Sequence, residues 1–296
     1  MMGKFEWYFH FILFLILGWL LSGCQPSAKI TENNAMNQQS YTLHLGQQGF
    51  KDFAQYNLGR TDSHPSGAGF RELDFTPPNL GQIKVENGAN SLVIDHVFSV
   101  LGTSFNKEDG IQGLDVDAGL TKDEFVSPEQ AYQGYVELMK RLNQAGWKNY
   151  FYRGDARIAK EDSIRYLMEG HDVIDPSYIF NYEEWEKIIN TVGGNYIGYR
   201  LYANGILLNL SLDQTQKTEG GKEQYMVRYA FDTIRYNQRN LISDAYEMTP
   251  QELEKAFQSN LSRYIKTREM DEKDAIAQGY RIDESYDDPD VWLYVK

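Results

Sequence analysis

Cysteine is almost missing from this chain: Cys24 is the one thiol in 296 residues. No disulfide can close within a single copy, and zinc sites built from several thiolates are excluded, so stability has to come from a packed core. Histidine is scarce too. The five are His10, His44, His64, His96 and His171, and no two are spaced like the metal-binding pair of HExxH. Positive charge is in deficit, because 29 Lys and Arg stand against 42 Asp and Glu and leave a formal charge of −13. Such a surface disfavours nucleic acid and anionic lipid headgroups, and it suits solubility or a basic protein partner. Aromatic residues are plentiful by contrast, with 21 Tyr, a residue at home on half-buried sheet faces and in protein interfaces.

The N-terminus has the layout of a secretory leader. Lys4 and the terminal amine supply positive charge, partly offset by Glu6, and an apolar run follows from Phe11 to Leu21. That run lies within the ~7–15 residues of a signal core and falls short of the ~20 of a membrane-spanning helix. An uncleaved anchor is the alternative, but Glu6 and His10 interrupt its extension. Leu21-Ser22-Gly23-Cys24 closes the run and resembles the lipobox of bacterial lipoproteins. The resemblance implies that residues 1–23 are a signal peptide and that the Cys24 sulfur takes diacylglycerol and becomes the mature N-terminus. It also places the chain in the bacterial envelope. Gln25 in place of an inner-membrane retention Asp favours the outer membrane. Once Cys24 is acylated no thiol remains, so cysteine catalysis is excluded. Each buried acyl CH₂ contributes about 0.8 kcal/mol, so two or three chains hold far more firmly than one.

Residues 24–40 are polar and aperiodic, from Gln25-Pro26-Ser27 through Gln38-Gln39, and read as an acylated flexible tether. A coil of about 16 residues reaches roughly 20 Å. Residues 41–296 form the folded body, with a division into two subdomains near 125 as an option. Tyr41–Leu45 alternates like a strand, and Ile83-Lys84-Val85 and Leu92-Val93-Ile94 suit a hairpin around Glu86-Asn87-Gly88. The rest of 41–123 reads as loop-rich.

Downstream the signals sharpen. Ser127-Pro128-Glu129-Gln130 carries a capping serine, an N1 proline and Gln at N3, ahead of a stripe of Tyr135, Leu138, Met139 and Leu142. Asn181 with Glu184 starts a second helix, and Gly193-Gly194 stops it. Thr249-Pro250-Gln251-Glu252 starts a third, with Leu253, Phe257, Leu261 and Tyr264 as its stripe. A further short helix ends at Gly279. Trp147–Tyr152 reads as a strand, and Val291–Lys296 as a C-terminal one. Asn204-Gly205 is a type I′ turn signal. Counting outward pairs Leu201 with Leu208, Tyr199 with Leu210 and Ile197 with Leu212, which leaves Arg200, Asn209, Gly198 and Ser211 on the other face. Tyr225, Val227, Tyr229 and Phe231 supply a third strand. The fold class is therefore α+β: an antiparallel meander around 195–232 covered by capped amphipathic helices.

No catalytic or cofactor motif assembles. Glu169-Gly170-His171-Asp172 with Asp175 reads as a polar loop. Ser66 in His64-Pro65-Ser66-Gly67 lacks the strand–elbow–helix context of a nucleophilic serine. Asp115-Val116-Asp117-Ala118-Gly119 opens like a calcium loop but has Leu120 where glycine is required and Val126 where an acid is required. Arg153-Gly154-Asp155 reads as a turn. The acidic segment Asp283, Glu284, Asp287, Asp288 and Asp290 is a solvated face or a docking surface for a basic partner. The expectation is a lipid-anchored lipoprotein with a non-catalytic protein-binding role and neither metal nor cofactor. In general character it is similar to immunity lipoproteins that neutralise antibacterial effectors. The alternatives are an envelope hydrolase with an unrecognised acid-base site and an envelope-assembly scaffold.

Overall fold

Alternation of apolar and polar residues builds most of this molecule, and it begins far earlier than the meander. The computed structural model describes residues 39–64, 68–171, 175–191 and 196–296. The leader, Cys24, most of the tether, Ser66, Asp172 and Gly193-Gly194 lie outside the described residues. In chain order the elements are β1 (Ser40–Leu43), α1 (Gln47–Gln55), β2 (Arg60–Ser63), β3 (Gly69–Asp74), β4 (Gly81–Val85), β5 (Leu92–Ser104) and β6 (Gly113–Gly119). There follow α2 (Pro128–Gln144), β7 (Lys148–Asn149), α3 (Ser163–Met168), α4 (Tyr182–Thr191), β8 (Tyr196–Ala203), β9 (Ile206–Lys217) and β10 (Glu223–Thr233). The C-terminal part holds α5 (Ile234–Arg239), α6 (Pro250–Ala277) and α7 (Trp292–Val295).

Among the described residues, ten strands join one sheet of order β1-β4-β5-β6-β10-β9-β8-β7, with the β2–β3 hairpin attached to the far half of β5. Every pairing is antiparallel except β1 with β4. The β6–β10 pairing carries the sheet across residue 125. The α+β class stands, and the Asn204-Gly205 hairpin has the expected register, with Leu201 opposite Leu208, Tyr199 opposite Leu210 and Ile197 opposite Leu212. Asn204 and Gly205 both take positive φ, 44° and 79°, as a type I′ turn requires.

Four expectations need correction. The strand at Tyr41 and the hairpin around Glu86-Asn87-Gly88 form as expected, but the loop-rich reading of the rest of 41–123 is wrong, since β2, β3, β6 and the long continuation of β5 lie there. Asp115–Gly119 in particular lies within strand β6, whose Leu114, Val116 and Ala118 enter the core while Asp115 and Asp117 face the other way. The C-terminus is a helical turn and not a strand. Val291 and Val295, four apart, are both fully buried, whereas Leu293 is 58% exposed, which helical spacing explains and alternation does not. The third and fourth helices are one, α6, because nothing between Tyr264 and Gly279 breaks it. Finally, Trp147–Tyr152 contributes only Lys148–Asn149 to the sheet, although the Tyr150 N–H still donates to the Arg200 carbonyl at 2.8 Å.

The inner sheet face meets α2, α3 and α4 in the main core. Tyr135, Leu138, Met139 and Leu142 of α2 are each at most 1% exposed, and a fully buried side chain of this size stabilises the fold by roughly 1.5–3 kcal/mol. Capping boxes start all three long helices as their sequences demand: Ser127 with Gln130, Asn181 with Glu184, and Thr249 with Glu252. A second, smaller core lies on the opposite face, where Leu207 packs with Ile234, Leu253, Phe257, Val291 and Val295. The C-terminal helices therefore cover one end of that outer face.

Candidate functional site

Strand alternation decides what the rest of the outer face displays. Reading across the ladder, one row is Leu101, Asp115, Ala230, Asn209 and Arg200, and the next is Ser99, Asp117, Arg228, Ser211 and Gly198. Gly119, Met226, Asp213 and Tyr196 form a third row towards one end. On the covered side, Thr103, Gly113, Asp232, Leu207 and Tyr202 form the row that runs under the C-terminal helices. Four aspartates thus stand on one sheet face, contributed by three adjacent strands.

Only part of that charge is neutralised within the molecule. Arg228 bonds Asp117 at 2.8 Å, while Arg200 turns to Asp155 at 2.6 Å. Desolvation raises Asp115, and the neighbouring Asp117 charge raises it further. Burial also raises Asp213, against a 3.3 Å hydrogen bond from the Ser211 hydroxyl. Asp232 is lifted most, to about 6, by burial first and by the Asp115 charge second. Burial and mutual repulsion thus raise the cost of charge on these carboxylates. Among the described residues no group of three His, Cys, Asp or Glu is arranged to hold a metal ion.

Of the residues the sequence singles out, Cys24 lies outside the described residues. The acidic C-terminal segment is described, and much of it is engaged. Asp288 receives two bonds from Arg268, at 2.6 and 3.2 Å. Asp283 accepts from the Ser285 amide and hydroxyl, and Asp290 accepts from the Trp292 amide at the start of α7. Glu284 and Asp287 stand exposed. Arg153-Gly154-Asp155 is a turn closed by the Asp155 N–H on the Tyr152 carbonyl. The His171 ring stacks on Tyr166 at 4.0 Å, and His44 binds the buried Asp52 at 2.8 Å.

Two concavities escaped the sequence reading. One, of about 360 Å³, is lined by His96, Lys122, Glu129, Gln133 and Glu137 among others. His96 has φ 59° at an irregularity where Asp95 and His96 of β5 face the single residue Gln82 of β4, and burial lowers its pKa. The other, of about 510 Å³, lies beside α5. No helix of the described residues is long and apolar enough to cross a membrane. No family model, curated protein or solved structure matches the chain.

Proposed function

We propose that this is a lipid-anchored lipoprotein of the bacterial envelope, fastened through Cys24, whose body binds a basic protein without catalysing a reaction. The neutralisation of an antibacterial effector, in the manner of an immunity lipoprotein, is the concrete form of that role. The observation that carries the reading is the uncovered part of the outer sheet face, where Asp115, Asp117 and Asp213 stand on the two strands flanking β10 and burial raises the pKa values of Asp115 and Asp213. A partner's Lys or Arg placed beside these carboxylates offsets the cost that burial and mutual repulsion put on their charges, which contributes binding energy and selectivity. The chain's net charge of −13 adds long-range attraction of the same sign.

Capture from envelope extracts by tagged, full-length chain tests this. One basic protein is retained at low salt and released as ionic strength rises. Joint Asp115→Asn and Asp213→Asn substitution lowers its retention about tenfold. Retention untouched by that pair but lost with Glu284→Gln and Asp287→Asn moves the docking surface to the C-terminal segment. Absence of any specific partner sinks the binding role. Fatty-acid labelling of wild type and Cys24→Ala tests the anchor separately, and label that survives the substitution removes it.

One observation favours the hydrolase alternative. Asp232, lifted to about 6 beside Asp115, is a carboxyl matched to general-acid work near neutral pH. Hydrolysis of an envelope polymer that is abolished by Asp232→Asn decides for that alternative.

A further inference from the structure

A buried glutamine holds up an exposed aromatic shelf at the far side of α5. Gln112 is 0% exposed, and its carbonyl oxygen accepts the amides of Phe105 and Asn106, each at 2.6 Å. Its amide nitrogen donates to the Tyr246 hydroxyl at 3.2 Å. One side chain thus fixes both the β5–β6 loop and the turn after α5. Phe105 lies flat on Tyr236, with ring centroids 5.1 Å apart and planes 6° from parallel. Even so, Phe105 is 49% exposed and Tyr246 39%. The Arg239 guanidinium braces the Tyr246 ring at 5.0 Å, and Arg235 ties the same region to Asp109 at 2.9 Å.

The concavity over this shelf, about 510 Å³, is lined by Phe105, Asn106, Lys107, Tyr236, Asn240 and Tyr246. That volume lies in the range of small-ligand sites. The Asn106 side-chain oxygen is occupied by the Glu108 amide at 3.0 Å, so its NH₂ remains to donate. Asn240 is exposed, and an amide offers both a donor pair and an acceptor.

We propose that this shelf is a saccharide-binding site, taking a neutral or weakly acidic sugar ring against Phe105 with its hydroxyls on Asn106 and Asn240. A sugar ring has a C–H face that packs on an aromatic plane and an equatorial rim of hydroxyls that pair with amides, and the shelf offers both at once. A nucleic-acid base also stacks, but its phosphates meet a chain of net charge −13. A basic peptide finds no carboxylate among the lining residues and does find Lys107. A lipid tail needs a closed apolar cavity, whereas this rim is polar. Rigid support from Gln112 keeps the ordering cost of binding low. The site stands apart from the outer-face reading, since none of its lining residues belongs to that face.

The test titrates full-length chain in a polyoxyethylene detergent, which brings no sugar headgroup, with chitotetraose, maltotetraose and cellotetraose in turn. At least one binds with a Kd at or below about 1 mM. Phe105→Ala weakens that binding about tenfold or more, and Asn240→Ala, an exposed substitution that leaves the fold intact, weakens it several-fold. Asp115→Asn leaves it unchanged, which separates this site from the outer face. Absence of binding by all three probes up to about 10 mM, or binding indifferent to both shelf substitutions, overturns the proposal. Photo-crosslinking from position 105 in intact cells that captures a protein, with no saccharide bound, overturns it as well.

Discussion

The hydroxyls of Tyr135 and Tyr199 meet at 3.2 Å inside the main core and join α2 to β8. Both residues are at most 2% exposed, and the Tyr135 oxygen also accepts the Phe180 amide at 3.2 Å. The two phenols are therefore not equivalent. Tyr199→Phe removes one neutral hydrogen bond and costs about 1 kcal/mol. Tyr135→Phe leaves both the Phe180 N–H and the Tyr199 hydroxyl buried without a partner, and costs about 2–4 kcal/mol. Urea unfolding of the two variants measures the difference, and equal losses would contradict this account of the core.

Asp232 makes the outer face pH-sensitive in a direction that follows from its raised pKa of about 6. Above that value the carboxylate is ionised in both the folded and unfolded states, and the folded state bears the full penalty. As pH falls from 6 towards the ordinary value near 3.8, the folded protein takes up the proton first and the penalty fades. Asp232→Asn is therefore stabilising at pH 7.5, by on the order of 1–2 kcal/mol after allowance for partial solvation. The gain vanishes near pH 4. Thermal unfolding of both forms across this range checks the sign, and a gain that grows at low pH would refute it.

Legibility in the sequence follows the strength of local signals. Ser127, Asn181 and Thr249 announced their helices because a capping box involves neighbouring residues only. The β8–β9 register was readable because Asn204-Gly205 fixes the turn and one face is wholly apolar. Strand β6 hid in plain view: Leu114, Val116 and Ala118 alternate, yet Asp115 and Asp117 drew attention to metal chemistry. What they do instead depends on β9 and β10, more than 90 residues away, and no local pattern reports that pairing. The aromatic shelf hid for the same reason, since Phe105 meets Tyr236 and Gln112 meets Tyr246 only in the folded chain. The C-terminus misled because Val291, Leu293 and Val295 satisfy a strand period, and burial beneath α5 and α6 selects the helical one.

The hairpin tip is also a packing site. Gly205 has φ 79°, and a Cβ built there runs into the Tyr294 ring. Its N–H accepts no substitute geometry either, since it donates to the Tyr202 hydroxyl at 3.2 Å, and its carbonyl receives the Ile234 amide at 2.9 Å. Gly205→Ala combines left-handed strain with displacement of the C-terminal turn and costs about 1–3 kcal/mol. Gly221 also has positive φ, 77°, but open space around its Cβ position, so Gly221→Ala suffers the backbone term alone, about 1 kcal/mol. Chemical denaturation of the pair separates strain from collision.

Arg268 secures the C-terminal layer as a single clamp. It is 8% exposed, donates to the carbonyls of Tyr152 and Asp155 at 2.9 and 3.0 Å, and forks onto Asp288. Its helix, α6, thereby holds the turn after β7 and the acidic segment together. Arg268→Ala removes the fork from Asp288 and the donor from the Asp155 carbonyl, while the Tyr152 carbonyl keeps the Asp155 amide, at a cost of about 2–4 kcal/mol. Arg268→Lys restores the charge without the planar fork, so it recovers less than half of the loss. Local opening precedes global unfolding here, because the segment 283–290 has no regular secondary structure of its own and loses its one bidentate anchor. Limited proteolysis of Arg268→Ala therefore cuts first within 283–290, while the Tyr135–Tyr199 core stays protected in amide exchange. Uniform loss of protection across both regions would mean that Arg268 supports the whole body and not this layer.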